Sequence, residues 1–273
     1  MSPSLPWELI FAIILQAAAD TSTILSLCLT SKSTKEEAQI HLYRDVFYSQ
    51  DTSIRGQIAF LETMISEPSL ALLVRHFTSS SSASSPHMPT WKLWKEKKKP
   101  EEPRHKVWRI LPHALRNMQN LEKLEFREVS GQPSAYWILP GVEFQLRALY
   151  WECHGEGVEM ANFLATQRCL ETISLEQGPS CPLDPSACLT VRSLYGNPTS
   201  FVRFLPGRPN ITQLDWVPSM DEDIPMSMAG LCSNITHLSI GGYFGRASLT
   251  EFAPVLPSLQ AMHLQGLYSV SFI

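Results

Sequence analysis

Apolar residues fall along this chain in two rhythms. Over the first fifty residues they recur at helical spacing, and Leu9, Ile10, Ile13, Ile14 and Ala17 form one stripe. Pro6 suits the first turn, where its missing N–H would be unpaired anyway, and Ser4 before it is a candidate cap. Asp20 to Thr23 reads as a cap cluster ahead of a second apolar segment, Ile24, Leu25, Leu27, Cys28 and Leu29. Ser33 to Glu36 has the S-x-x-E spacing of a capping box and starts a third helix carrying Ala38 and Leu42. Three short helices with stripes on more than one face bury little by themselves, which predicts apolar surface left for a partner.

Beyond Tyr48, an amphipathic stretch with Ile54, Ile58, Leu61 and Ile65 ends at Pro68, and Val74 with Phe77 predicts a strand. Residues 78–105 are rich in Ser, Pro and charge and read as a surface insertion. Within it Trp91, Leu93 and Trp94 lie beside Lys95, Lys97, Lys98 and Lys99, where Glu96, Glu101 and Glu102 dilute the charge, so the reading is a solvated loop rather than a binding motif or nuclear-import patch.

From Val107 a second rhythm takes over. The phrase L-x-x-L-x-L recurs loosely as Leu121/Leu124/Phe126, Leu146/Leu149/Trp151, Leu170/Ile173/Leu175, Ile211/Leu214/Trp216, Ile235/Leu238/Ile240 and Leu259/Met262/Leu264, with a weaker copy at Val191/Leu194. Starts are roughly 20 to 25 residues apart, the range of leucine-rich repeats. Short helical patterns at Phe163-Leu164, Phe201/Phe204/Leu205 and Phe252/Val255/Leu256 separate the copies. The expected fold class is therefore α/β: parallel strands turn their large apolar residues inward, short helices or turns cover them, and stacked units bury what single ones cannot.

The order Leu5-Pro6-x-Glu8-Leu9-Ile10-x-x-Ile13-Ile14, then Ile24-x-x-Leu27-Cys28-Leu29-Thr30-Ser31-Lys32, then Ala38 and Leu42-Tyr43-Arg44, resembles an F-box. Many F-boxes carry a Trp shortly after the Lys, and none follows Lys32-Ser33-Thr34 here. With the repeats, the whole chain resembles the F-box proteins with degenerate leucine-rich repeats that are abundant in mushroom-forming fungi. The resemblance implies an F-box over residues 1–50 and an irregular leucine-rich-repeat solenoid over 51–273. It also implies a partner, a Skp-type adaptor that links the chain to a cullin, docked on Leu5, Pro6, Leu9, Ile10, Ile13, Ile14 and Leu27. The repeat family's Asn, three positions after the last Leu of the phrase, is replaced throughout, by Val129, His154, Gly178, Thr199, Ser219, Tyr243 and Leu267, which predicts varied loops.

Composition narrows the partners. A net charge of −4 gives no field that would draw the chain to nucleic acid or an anionic membrane, and no apolar run approaches the roughly 20 residues that span a bilayer. The Leu5–Ala19 stretch lacks the basic start of a secretory leader, and a secreted protein would have to lose it. The six cysteines show no C-x-x-C pair and read as reduced thiols of a cytoplasmic or nuclear protein. Asn210-Ile-Thr212 and Asn234-Ile-Thr236 match the glycosylation triplet at the starts of predicted buried strands. Cys153-His154 with Cys169, Cys181 and Cys188 matches no zinc module, and Gly241-Gly242-Tyr-Phe-Gly245 reads as a turn. No Walker loop, dinucleotide fingerprint, G-x-S-x-G elbow or H-E-x-x-H helix occurs, so the expectation is a non-enzyme without a cofactor or metal.

Side chains between the core leucines should form columns on the concave face. One column reads Glu125, Tyr150, Ser174, Tyr195, Asp215, Ser239 and His263; its neighbour reads Arg127, Glu152 and Glu176, then Val217, Gly241 and Gln265. Aromatic anchors among acidic and basic groups suit the binding of a target protein. The competing reading is a scaffold whose N-terminal helices only cap the repeats, and exposure of Leu9, Ile10 and Ile13 separates the two. The last copy runs into residues 267–273 with no polar capping unit, which predicts a truncated chain or an end face that pairs with something.

Overall fold

In the computed structural model the chain is α/β, with a nine-stranded, all-parallel sheet, and residues 6–49, 52–81, 103–128, 135–152, 157–175, 183–216, 230–241 and 254–265 are described. The strands are β1 (Asp45–Tyr48), β2 (His76–Ser81), β3 (Lys123–Glu128), β4 (Ala148–Trp151), β5 (Thr172–Leu175), β6 (Ser193–Gly196), β7 (Gln213–Trp216), β8 (His237–Gly241) and β9 (Ala261–Gln265). Each lies beside its neighbours in sequence, so every connection returns the chain to the same end of the sheet.

Register converts the repeated phrase into a core. Leu124, Leu149, Ile173, Leu194, Leu214, Leu238 and Met262 pair in one row, and two positions on Phe126, Trp151, Leu175, Trp216 and Ile240 point the same way. All except Met262 are buried. Stacked rings knit the rows together, with Phe126 and Trp151 centroids 5.1 Å apart and Trp108 edge-on to Phe126 at 5.3 Å.

The sheet begins earlier than the leucine phrases predict. Tyr43/Val46/Tyr48 and Val74/Phe77/Ser79 keep the same spacing with other residues, and they place β1 and β2 in register with β3. Ser79 is buried at the position where β3 carries Phe126 and β4 Trp151, and its hydroxyl receives the Gln57 Nε2–H at 3.3 Å. Residues 78–81, read from composition as part of the insertion, are thus strand, because pairing with residues 125–128 satisfies their backbone whatever their side chains. The insertion's other end gives way to helix from Pro103, while Trp91, Leu93, Trp94 and the lysines after them lie outside the described residues.

Eight α-helices are described: α1 (Trp7–Ala17), α2 (Thr21–Leu27), α3 (Lys32–Arg44), α4 (Ile54–Ser66), α5 (Pro68–Ala71), α6 (Pro103–Asn117), α7 (Val158–Thr166) and α8 (Pro198–Phe204). Leu61 and Met64 of α4, Trp108 and Leu111 of α6, Leu164 of α7 and Phe201 of α8 join the sheet's core. The helix expected at Phe252/Val255/Leu256 is, in its described part, a pair of turns that still bury Val255 and Leu256.

A hydrogen-bond ladder runs along the edge where the strands begin. The Glu122 carbonyl accepts the N–H groups of both Arg147 and Ala148, at 2.7 and 3.1 Å, and the carbonyls of Arg147, Glu171, Arg192, Thr212 and Thr236 repeat the pattern with the following unit. A second set of bonds comes from the polar residue just before three of the phrases. Asn120 Nδ2 donates to the Leu72 carbonyl at 2.8 Å, Thr190 Oγ1 to the Leu170 carbonyl at 2.8 Å and Asn210 Nδ2 to the Leu189 carbonyl at 2.7 Å. The side chain of the first glycosylation triplet is therefore part of this set.

The N-terminal helices form a unit with its own small core, Ile14, Ile24 and Ala38, against which Ile10, Ala17, Leu27, Cys28 and Leu42 pack. Asp20 caps α2 by accepting the Ser22 N–H at 3.0 Å. Ser31, rather than the expected Ser33, caps α3 by accepting the Thr34 N–H at 3.2 Å, because Ser31 is the last extended residue before the helix. No linker separates this unit from the sheet: α3 ends at Arg44 and β1 starts at Asp45, inside the 1–50 span assigned to the helical unit.

Candidate binding surfaces

Helix α1 is largely apolar, and Glu8 and Gln16 are its only polar residues. Ile10, Ile14 and Ala17, at i, i+4 and i+7, turn toward α2 and α3. Trp7, Phe11 and Leu15 lie on one side of that inward stripe and Leu9 and Ile13 on the other, and all five remain exposed: Leu9 at 52 % and Ile13 at 48 %. Leu25 and Leu29 add to the exposed set. Apart from the Glu8/Ala12/Gln16 face, what α1 shows to solvent is apolar, which makes it an exposed hydrophobic patch.

The residues predicted to face an adaptor therefore divide. Pro6, Leu9 and Ile13 are exposed; Ile10 and Leu27 are partly covered by the small core. Ile14 is fully buried, which corrects its assignment to the outer surface: it is the centre of the helical unit, one turn from Ile10 on the inward stripe. Leu5 lies outside the described residues. Sequence reasoning passed over Trp7, Phe11 and Leu15, although their spacing of four was a signal for a second stripe.

The second surface is the face of the sheet turned away from the helices. Thr78, Glu125, Tyr150, Ser174, Tyr195, Asp215, Ser239 and His263 pair in one continuous row, as the predicted column required. Glu125 is only 8 % exposed despite its charge. Its carboxylate meets Arg127 Nη2 at 2.7 Å and Lys123 Nζ at 3.0 Å, and accepts a long contact from Thr78 Oγ1 at 3.5 Å. Arg127 reaches on to Glu152, Nε to Oε1 3.4 Å, and Lys123 Nζ stands 4.9 Å from the centre of the Tyr150 ring.

This cluster places Tyr150 and Tyr195 on either side of Ser174, which is itself buried. Burial raises the Tyr195 pKa first, with the Glu152 and Asp215 carboxylates adding to it and Arg127 opposing, so the phenol stays protonated and able to donate. Asp215 and His263 belong to the far end of the row, where with His237 they line a shallow cavity of about 200 Å³. Glu176 and Val217 lie outside the described residues. Lys123 and Thr78 were not foreseen: the row before each core leucine, where Lys123 stands, was not read as part of the face, and Thr78 was read as part of the insertion.

Among the described residues no helix is long and apolar enough to cross a membrane, and Cys28, Cys169, Cys188 and Cys232 are free thiols. Compared with known proteins, the chain matches no family model and no curated protein.

Proposed function

We propose that this chain is the substrate-recognition subunit of a Skp/cullin/F-box type ubiquitin ligase: a non-enzymatic receptor of the cytoplasm or nucleus, working without a cofactor. The N-terminal helices would be the F-box, binding a Skp-type adaptor and through it a cullin. The parallel sheet with its covering helices would be a leucine-rich-repeat-like solenoid, whose open face around Glu125, Arg127, Tyr150 and Tyr195 holds a target protein. Ubiquitin transfer is then promoted by proximity, since a tethered target meets the ligase at a raised effective concentration.

The observation that carries this reading is the uncovered flank of α1. Of the three residues that separate the readings, Leu9 and Ile13 are about half exposed on a helix with almost no polar residues, where the capped-scaffold alternative requires burial, and Ile10 packs partly on the small core. That alternative draws on the other end of the unit, where Tyr43 stacks on Phe60 at 6.4 Å and α3 runs straight into the sheet. The two halves of the unit serve different purposes: α3 anchors, and α1 presents.

The test is a pull-down of the purified chain with a Skp-type adaptor, comparing wild type with Leu9→Glu/Ile13→Glu. Completing the burial of both side chains is worth about 2 kcal/mol or more, so the double change should weaken binding by at least about thirtyfold. Because both side chains face solvent, the variant keeps its fold, unlike Ile14→Glu. Absence of binding by well-folded wild type would remove the ligase assignment and leave a repeat scaffold.

A further inference from the structure

The edge on which the strands begin carries an alternating row of charge. In consecutive units the residue just before the strand is Arg75, Glu122, Arg147, Glu171, Arg192 and Thr212, aligned by the carbonyl ladder. The acids neutralise their neighbours: Arg75 Nη1 is 3.3 Å from Glu122 Oε1, and Arg147 Nη1 is 3.6 Å from Glu171 Oε1. At Arg192 the alternation stops, because Thr212 stands where the next acid would be.

The shortage of acid coincides with a cavity. A recess of about 730 Å³ opens there, and among the described residues its charged lining is Arg147, Arg168 and Arg192 with the carboxylate of Glu171. Glu171 is already matched to Arg147, and among the described residues neither Arg168 nor Arg192 has an acidic partner. The remaining lining includes Thr190, Asn210 and Thr212, short polar side chains that leave the guanidinium groups accessible. Arg168 and Arg192 are fixed at their backbones: the Arg168 N–H is held by Gln145 Oε1 at 2.9 Å and the Arg192 N–H by the Glu171 carbonyl at 2.8 Å.

We propose that this recess is an anion site that takes a phosphoryl group, with Arg168 and Arg192 as its ligands. A guanidinium offers a planar fork of donors that matches two oxygens of a phosphate, and two such forks match a dianion better than a carboxylate. The volume falls within the range of small-ligand sites, on the order of 300–1,000 Å³, so the phosphoryl group could arrive on a small molecule or on a phosphorylated peptide. The site is separate from the open face and from α1, and it stands whether or not the ligase reading does.

The experiment is isothermal titration of the full chain at low ionic strength with inorganic pyrophosphate and with an alanine-flanked phosphoserine pentapeptide. Three proteins are compared: wild type, Arg168→Gln/Arg192→Gln, and Lys35→Gln/Arg55→Gln. The last pair is exposed and remote and changes net charge equally. Wild type should bind at one site, the arginine pair should lose affinity by about tenfold or more, and the control pair should stay within about twofold. Tighter binding of the peptide assigns the phosphoryl group to a protein, and tighter binding of pyrophosphate assigns it to a small molecule. If neither probe binds at millimolar concentration, or if both double variants lose affinity alike, the site does not exist and only the general field of the chain was at work.

Discussion

Arg208 sits in the connection from α8 to β7, is 4 % exposed, and spends its guanidinium on backbone carbonyls. Nε donates to Ala187 at 3.0 Å, Nη1 to both Phe204 and Pro206 at 2.8 Å, and Nη2 to Asp184 at 2.8 Å, so one side chain ties the connection before β6 to the one before β7. Burial pulls its pKa below the ordinary value, with Cys188 and Asp184 acting the other way, a sign that part of the gain is spent on desolvation. Replacing Arg208 by Met removes every donor, and with them the guanidinium that stands 4.7 Å over the Phe204 ring. Four carbonyls then lose a charged partner, and after crediting the recovered desolvation the cost is about 3 to 5 kcal/mol. Urea unfolding followed by far-UV circular dichroism should show a lower midpoint at unchanged slope, equivalent to a fall in Tm on the order of 10 °C. Arg208→Lys keeps the charge and loses the fork, and should fall about midway. A Met variant within about 1 kcal/mol of wild type would refute the reasoning, since it would mean that water replaces the guanidinium without loss.

Three further outcomes follow from the packing. Gly196 occupies the inward row otherwise filled by Trp151, Leu175 and Trp216, and a Cβ there would stand 3.0 Å from the Leu175 carbonyl and 3.6 Å from Phe201, so Gly196→Ala should destabilise by about 1 to 3 kcal/mol in the same urea assay. Burial pushes the thiols of Cys188 and Cys232 up to about 11 from 9.0, Arg208 opposing at Cys188; the native state therefore holds these protons longer, and the stability they contribute is complete below pH 9 and lost as pH rises toward 11. That loss is about 2 to 3 kcal/mol per thiol, and Cys188→Ala/Cys232→Ala should flatten the alkaline limb of a stability–pH curve. On the open face, Glu125→Gln leaves Lys123 and Arg127 facing each other without their shared carboxylate, and a double-mutant cycle with Arg127→Gln should return a coupling of about 1 kcal/mol, a figure that allows for the solvent reaching Arg127. A coupling of zero would show that the cluster is held by the strands alone.

Most of the sheet was legible because the phrase spacing survives wherever leucine does. From Leu121 onward the phrase positions of the strands were identifiable except the third of β6, where Gly196 stands, and the face column from Glu125 to His263 follows from the strands' period of two. What escaped notice kept the spacing and changed the residues. Tyr43/Val46/Tyr48 is hidden because it continues a helix without a break; of Val74/Phe77/Ser79 the first two were read as a strand, and only the third position, a serine inside a serine run, was given to the insertion. The set of polar bonds escaped for a different reason: an Asn was sought after the phrase, while Asn120, Thr190 and Asn210 do their bonding from just before it. On α1 one stripe was recognised where two exist, and so Ile14 was placed outside. Periodicity shows which residues share a face, but only the partner helices decide which face turns inward.

The direct passage from α3 into β1 bears on how the proposed receptor would work. The Arg44 carbonyl receives the Arg75 N–H at 2.9 Å and Tyr43 stacks on Phe60, so the last turn of α3 is already part of the sheet's fabric. A partner covering Trp7, Leu9, Phe11 and Ile13 is then tied through the small core of Ile14, Ile24 and Ala38 to a strand, not to a tether. Flexible linkage would spread a held target over many positions and dilute its effective concentration; a continuous helix-to-strand junction confines it. The same continuity explains how a helical unit with three fully buried apolar residues can persist while showing so much apolar surface. The packing of α3 on the sheet supports it, and the exposed apolar residues of α1 would be left to the proposed partner.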